Sequence, residues 1–370
     1  MSPLPVGLYV HIPFCSVKCF YCDFAAFSGQ NKSSRRYLKA LEAESRLFPS
    51  RNPQTLYFGG GTPSELDPED IEELFEVIRR AYPRANFREA TFEANPESLT
   101  PEKLRLLKSN GVTRLSLGLQ TADAGLLKAL GRRHTPEDFF EIYRQAREIG
   151  GFALSVDLMY GLPGQTVAMC LESLDAVLDL GLEHISLYGL QVEDKTLFGK
   201  RGVEPDEDLS REMFEKSLER LARAGFKHYE ISNFARPGFE SVHNLIYWRD
   251  GEYIGLGCSA ASFLDGTRST NIERLEPYCL AVEEGKRPVG HSERLTGKEK
   301  LGESIFLGLR LMDGFDLSPK MESEFCREFQ DLSHQGMIER QEQRVRLTRQ
   351  GVFLANQAFM RFVAPFEGVA

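Results

Sequence analysis

No stretch of this 370-residue chain approaches the ~20 consecutive apolar residues that a bilayer-spanning helix needs, so a transmembrane role is excluded and only peripheral membrane contact stays open. Basic residues are in deficit: 45 Lys and Arg stand against 54 Asp and Glu, a formal net charge of −9. Nucleic acid is therefore not an expected partner, because binding it without sequence preference needs a basic face that displaces counterions. The opening Met-Ser-Pro-Leu-Pro-Val-Gly lacks the basic-then-apolar order of a secretory signal, and a cytoplasmic location is expected. Seven cysteines, an odd number and mostly scattered, do not make a disulfide framework. Cys170, Cys258, Cys279 and Cys326 have no partners at ligand spacing and read as small buried hydrophobes. Internal repeats and low-complexity segments are also missing.

The other three cysteines are not scattered. Cys15, Cys19 and Cys22 form a C-x3-C-x2-C run within His11-Ile-Pro-Phe-Cys-Ser-Val-Lys-Cys-Phe-Tyr-Cys-Asp-Phe. Each iron of a cubic [4Fe–4S] cluster takes one sulfur from the protein, so three thiolates on one loop hold three corners and leave one iron open. A structural zinc site is the competing reading, but zinc closes at four ligands, usually from two paired units, and no second pair is present.

At this length one large α/β domain with a smaller companion is expected. Strand-like runs at Val6–Ile12, Thr55–Phe58, Glu89–Glu93, Arg114–Leu119, Leu154–Tyr160 and His184–Leu190 alternate with helical patterns at about Ser33–Phe48, Pro68–Ala81, Pro101–Ser109, Pro136–Ile149, Gln165–Leu180 and Asp208–Ala224. Pro68, Pro101 and Pro136 stand just inside helix starts, where a missing N–H costs nothing. Six βα units predict a parallel sheet with right-handed crossovers. They fall short of the eight of a closed barrel, so the fold class is α/β, a partial (βα)6 barrel whose site lies at the C-terminal strand ends. The cysteine loop directly follows the first strand. Residues 1–230 make this core and 231–289 an extension of the sheet. Residues 290–370 make a small helical, winged-helix-like domain, with helices over Lys298–Leu311, Lys320–Gln335 and Thr348–Arg361 and a hairpin from Met337 to Leu347.

Several segments carry a family resemblance: Tyr9-Val-His-Ile-Pro-Phe-Cys, Gly59-Gly-Gly-Thr-Pro-Ser, Glu93-Ala-Asn-Pro-Glu, Ser116-Leu-Gly-Leu-Gln, Leu130-Gly-Arg-Arg-His, Asp157-Leu-Met-Tyr-Gly-Leu-Pro-Gly-Gln and His243-Asn-Leu-Ile-Tyr-Trp. Over essentially its whole length the chain resembles the radical S-adenosylmethionine (SAM) proteins of the oxygen-independent coproporphyrinogen III oxidase/dehydrogenase group. Within that group it is most similar to the haem-chaperone branch. The resemblance implies a [4Fe–4S] cluster on Cys15, Cys19 and Cys22, with SAM on the open iron and an electron donor to the cluster. It implies SAM contacts from Tyr9, Tyr21, Gly60, Gly61, Thr62, Glu93, Gln120, Arg132 and Asp157. The competing readings are a core tyrosine for Tyr9, a space-filling role beside the cluster for Tyr21, and a structural ion pair for Arg132 and Asp157. The glycine run alone would be only a turn, and no Gly-Lys-Ser/Thr follows to make it a P-loop.

The HNxxYW signature of the chaperone branch implies haem as bound cargo, with His243, Tyr247 and Trp248 at its site and acceptor haemoproteins as partners. An imidazole can ligate iron and aromatic rings can cover a macrocycle, although a lone histidine is more often a hydrogen-bonded core residue. Two departures set the chain apart from the dehydrogenase. That enzyme's motif runs on as Cys-x-Cys where Phe24 stands here, and only 14 residues precede Cys15 in place of its long N-terminal segment. Haem carriage is thus the expected function, and oxidative decarboxylation of coproporphyrinogen III is the alternative.

Overall fold

The computed structural model describes residues 5–48 and 51–364; the ends of the two outer expected segments, 1–4 and 365–370, lie outside the described residues. Six strands stand side by side in chain order, all parallel: β1 (Gly7–Ile12), β2 (Thr55–Gly60), β3 (Glu89–Ala94), β4 (Arg114–Gln120), β5 (Ala153–Tyr160) and β6 (His184–Gly189). Helices α1 (Ser34–Ser45), α2 (Pro68–Ala81), α3 (Pro101–Ser109), α4 (Pro136–Ile149) and α5 (Val167–Leu178) connect them, and α6 (Glu207–Arg223) follows β6.

Period-two alternation explains how these strands make both a core and a site. Along β4, Leu115, Leu117 and Leu119 are fully buried in the apolar core, while Ser116, Gly118 and Gln120 face a cavity. In β3, Phe92 packs at a tilt against Phe58, which in turn meets Phe75 edge-on, while Glu93 faces the same cavity. In β5, Val156 and Leu158 join the core and Asp157 points inward. The inner row is polar and lines the cavity.

The sheet grows at both edges, to twelve strands. At the β6 edge lies an antiparallel hairpin, β7 (Lys227–Glu230) and β8 (Asn233–Ala235), which straddles the expected 230/231 boundary. On β1 lies β9 (Tyr253–Leu256), parallel, then antiparallel β10 (Ala261–Leu264), β11 (Thr267–Asn271) and β12 (Val289–Glu293). Between these groups the two-turn helix α7 (Val242–Trp248) packs near the starts of β1–β3.

After α8 (Leu275–Glu283) and α9 (Gly297–Leu309), a three-stranded sheet forms from β13 (Phe315–Asp316), β14 (Ile338–Gln341) and β15 (Arg344–Leu347), with β15 in the middle. The helix expected over Lys320–Gln335 is two pieces, α10 (Pro319–Glu324) and α11 (Cys326–His334). The break lets Phe325 turn fully into the core against Phe362, whose ring centroid is 5.3 Å away. The last expected helix divides likewise at Leu354, into α12 (Arg349–Phe353) and α13 (Ala355–Met360). Cys326 is exposed, not buried as expected: it is the first residue of α11, directly after the buried Phe325. Among the described residues no helix is long and apolar enough to cross a membrane.

Candidate functional site

The three cysteines lie on the loop leaving β1, and all three line one cavity of about 290 Å³ at the C-terminal ends of the strands. The loop is fixed from several sides. Phe20 N–H donates to the Leu130 carbonyl and Phe198 N–H to the Phe20 carbonyl, at 3.0 and 2.9 Å. The Arg132 guanidinium spans the gap between loop and sheet: Nη1 lies 3.6 Å from Cys19 Sγ, while Nη2 donates to Asn95 Oδ1 at 2.7 Å and to the Gly118 carbonyl at 2.9 Å. Its Nε is buried without a partner in a side chain only 5% exposed.

The glycine run at the end of β2 runs alongside this loop. Gly61 and Thr62 N–H donate to the carbonyls of Ile12 and Phe14, both at 2.8 Å. A Cβ on Gly61 would stand 2.7 Å from the Phe14 carbonyl oxygen, so only glycine allows this approach. Thr62 Oγ1 then reaches Cys15 Sγ at 3.3 Å. Gln120 ends β4 at φ 73°, a left-handed conformation uncommon for a side-chain-bearing residue, next to a register shift that turns it toward the cavity.

Two carboxylates face the same space. Glu93 accepts from the Tyr57 hydroxyl at 2.6 Å and Asp157 from the Ser116 hydroxyl at 3.1 Å. Burial, reinforced by the charge of Asp157, pushes Glu93 up to about 7 despite the Tyr57 hydroxyl and the Gly60 N–H. Burial pushes Asp157 up to about 6, against the pull of Ser186, Ser116 and Arg132. Arg132 and Asp157 are not an ion pair: the carboxylate within reach of Arg132 is Glu97, at 3.9 Å. Two of the thiols behave alike. Burial lifts Cys15 to about 11, with Cys22 and Cys19 adding to the rise against the Thr62 hydroxyl, and burial also raises Cys22.

This donor set fits the cofactors that the cysteine spacing implies. A cationic iron centre would offset the mutual repulsion of three neighbouring thiolates. Two buried carboxylates beside them are suited to a ligand carrying sulfonium and ammonium charges.

Cys15, Cys19, Cys22, Tyr21, Gly60, Gly61, Thr62, Glu93, Gln120, Arg132 and Asp157 thus meet around one cavity. Tyr9 does not join them. Its ring lines a second cavity, about 590 Å³, on the other side of Asp23 and Phe24, which border both spaces. Tyr247 and Trp248 line this larger cavity with Tyr253, Phe263 and Leu307 of α9.

The chain belongs to the HemW family of radical SAM proteins. It is 38% identical to "Heme chaperone HemW" of Bacillus subtilis, over 96% of this chain and 98% of the relative. It is 37% identical to the bovine protein "Radical S-adenosyl methionine domain-containing protein 1, mitochondrial", over 84% and 75% of the two chains. The Radical SAM superfamily matches residues 9–177 and the HemN C-terminal domain residues 295–354. The HemN structure, described as coproporphyrinogen III oxidase from Escherichia coli and a radical SAM enzyme, superposes with a TM-score of 0.85 at 25% identity, over 98% of this chain and 91% of that one. Membership of the superfamily implies a [4Fe–4S] cluster and SAM.

Within the HemW signature the structure corrects one expectation. His243 is fully buried and reaches neither cavity. Its Nδ1 shares a hydrogen bond with Thr55 Oγ1 at 2.8 Å and its Nε2 one with the Tyr247 hydroxyl at 2.7 Å, and its ring stacks on Tyr57 at 5.1 Å. Burial lowers it to about 3. An iron ligand needs a free ring lone pair, and here both nitrogens are engaged, so His243 is a core residue that orients Tyr247. Sequence reasoning did not single out Asn95, Ser116 or Tyr188, which also line the smaller cavity. Ser116 sits two and four residues before Gly118 and Gln120, so the alternation of β4 alone could have found it.

Proposed function

We propose that the chain is a haem carrier with a radical SAM core. Cys15, Cys19 and Cys22 hold a [4Fe–4S] cluster, SAM occupies the smaller cavity, and haem occupies the larger one until it passes to an acceptor haemoprotein. The observation carrying this reading is the larger cavity itself, whose 590 Å³ falls within the range of about 300–1,000 Å³ typical of cofactor sites. Its walls are aromatic where the HemW signature supplies Tyr247 and Trp248. When bound, the cluster and SAM supply one-electron chemistry. Around them Glu93 and Asp157 balance the ligand's positive charges, Arg132 and Thr62 steady the cysteine loop, and an outside donor reduces the cluster. Ferric haem added to the protein should quench the fluorescence of Trp248, the chain's single tryptophan. Unchanged emission at saturating haem would contradict the placement.

The carboxylates give this reading a pH signature. A cationic ligand binds the ionised forms, and these are complete only above about 7 for Glu93 and about 6 for Asp157. SAM affinity should therefore fall as pH drops through 7 and then 6, by up to about tenfold per pH unit for each group. Glu93→Gln should weaken SAM binding at pH 8 and flatten the upper part of the profile. Calorimetric titration of SAM from pH 5.5 to 8 checks this; a flat wild-type profile would contradict it.

The second reading is oxygen-independent coproporphyrinogen III dehydrogenase, favoured by the superposition on HemN. Phe24, 64% exposed where that enzyme's motif continues with cysteine, speaks against it.

A further inference from the structure

Resting on the haem-carrier reading, we propose that Arg268 anchors a propionate of the haem, so that the larger cavity selects macrocycles bearing free carboxylates. Haem presents an apolar ring to be covered and ionised propionates to be balanced, and aromatic walls answer only the first need. The lysine and arginine side chains lining the cavity are Lys195 and Arg268.

Strand register sets Arg268 at the end of an aromatic row. Tyr253 of β9 pairs with Phe263 of β10, and Phe263 with Arg268 of β11, so the three stand on one face of the sheet. The guanidinium lies back over the Phe263 ring, with Cζ 5.3 Å from the centroid. Nη1 donates to the Tyr253 hydroxyl at 2.7 Å, while Nε and Nη2 both donate to Glu303 Oε1, at 3.1 and 2.5 Å. Each terminal nitrogen is left with one further N–H to give, and these are the nitrogens that grip a carboxylate in parallel.

The charges around Arg268 hold it still. Glu303 gives its other oxygen, Oε2, to Lys300 Nζ at 2.7 Å, and Lys300 also donates to Asp250 Oδ1 at 2.6 Å. The Ser304 hydroxyl closes the far end on Asp250 Oδ2 at 2.7 Å. This chain of alternating charges, carried mostly by α9, fixes the guanidinium before a ligand arrives, so little side-chain freedom is lost on binding. It also occupies Asp250. Asp23 faces Lys195 at 3.8 Å, so two of the lining carboxylates are already offset by a lysine, and the third, Glu273, is exposed. Lys195 is the weaker anchor: its side chain is 67% exposed against 28% for Arg268, and an ammonium in water gains little from an ion pair.

Ferric haem and its dimethyl ester, in which both propionates are methylated, share iron and ring and so separate anchoring from packing. Each is titrated at neutral pH into the full chain with its cluster, followed by Trp248 quenching. The wild type should bind haem about tenfold more tightly than the ester, the worth of one charge-assisted pair of hydrogen bonds. Arg268→Gln should bring haem down to the ester's affinity and leave the ester where it was. Arg268→Lys, which keeps the charge but not the fork, should fall between. Equal wild-type affinities for the two ligands would overturn the assignment. So would an Arg268→Gln variant that loses both ligands alike, the sign of a purely structural link to α9. Loss of the preference in Lys195→Met, with Arg268→Gln unchanged, would put the anchor at the rim and overturn it too. If neither ligand quenches Trp248 in the wild type, the cavity reading beneath the proposal fails instead.

Discussion

A chain with serine in place of Cys15, Cys19 or Cys22 should lose its iron–sulfur absorption, with iron falling from about four per chain to below one after reconstitution. A neutral hydroxyl is a poor substitute for thiolate, and removing one of three ligands leaves two irons open rather than one. The same change at Cys170, Cys258, Cys279 or Cys326 should leave the cluster intact. None of these lines the smaller cavity; Cys170 packs beside Ser217 and Cys258 beside Tyr37. Iron and sulfide analysis of all seven variants separates the two groups. If any of the four outer cysteines proves as necessary as the loop three, a cluster with one open iron is the wrong description.

Glu89→Ala should produce the largest stability loss away from the cysteine loop, about 3–5 kcal/mol, the usual cost of breaking a buried ion pair from one side. Glu89 starts β3, nearly fully buried, with Arg114 Nε at 3.3 Å. It also accepts the N–H groups of Val242 at 3.0 Å and His243 at 2.8 Å, so it holds the first turn of α7. Arg114 Nη1 has no partner, which leaves Glu89 as the main offset to that buried charge. Truncation strands the arginine and loosens the helix that carries Tyr247 and Trp248. Denaturant unfolding followed by circular dichroism gives the loss; a change below about 1 kcal/mol would show that α7 is held in another way. Glu89→Gln, which keeps an acceptor but not the charge, should fall between.

Much of this was legible in the sequence, for identifiable reasons. The cysteine spacing is local chemistry and needs no fold to be read. The six strands and their helices follow from apolar runs bounded by proline and glycine, and the (βα)6 order follows from their alternation. What escaped depends on contacts between distant segments. That Tyr9 faces the larger cavity is set by β9 closing against β1, a pairing 246 residues apart at Gly7 and Tyr253 that no local pattern encodes. That His243 is saturated depends on Thr55 and Tyr57 of β2 lying beneath it. The breaks at Phe325 and Leu354 interrupt good helical periodicity because the small C-terminal core needs those side chains turned inward.

The most direct test of the account is a single anaerobic experiment on the reconstituted protein with SAM and a reductant. One sample receives haem followed by an apo-haemoprotein acceptor, and the other receives coproporphyrinogen III. The account predicts that the Soret spectrum of the first passes from that of the haem-loaded chain to that of the acceptor, while the second yields no protoporphyrinogen IX. Stoichiometric decarboxylation in the second sample, with no haem retained in the first, would contradict it and make the protein a dehydrogenase.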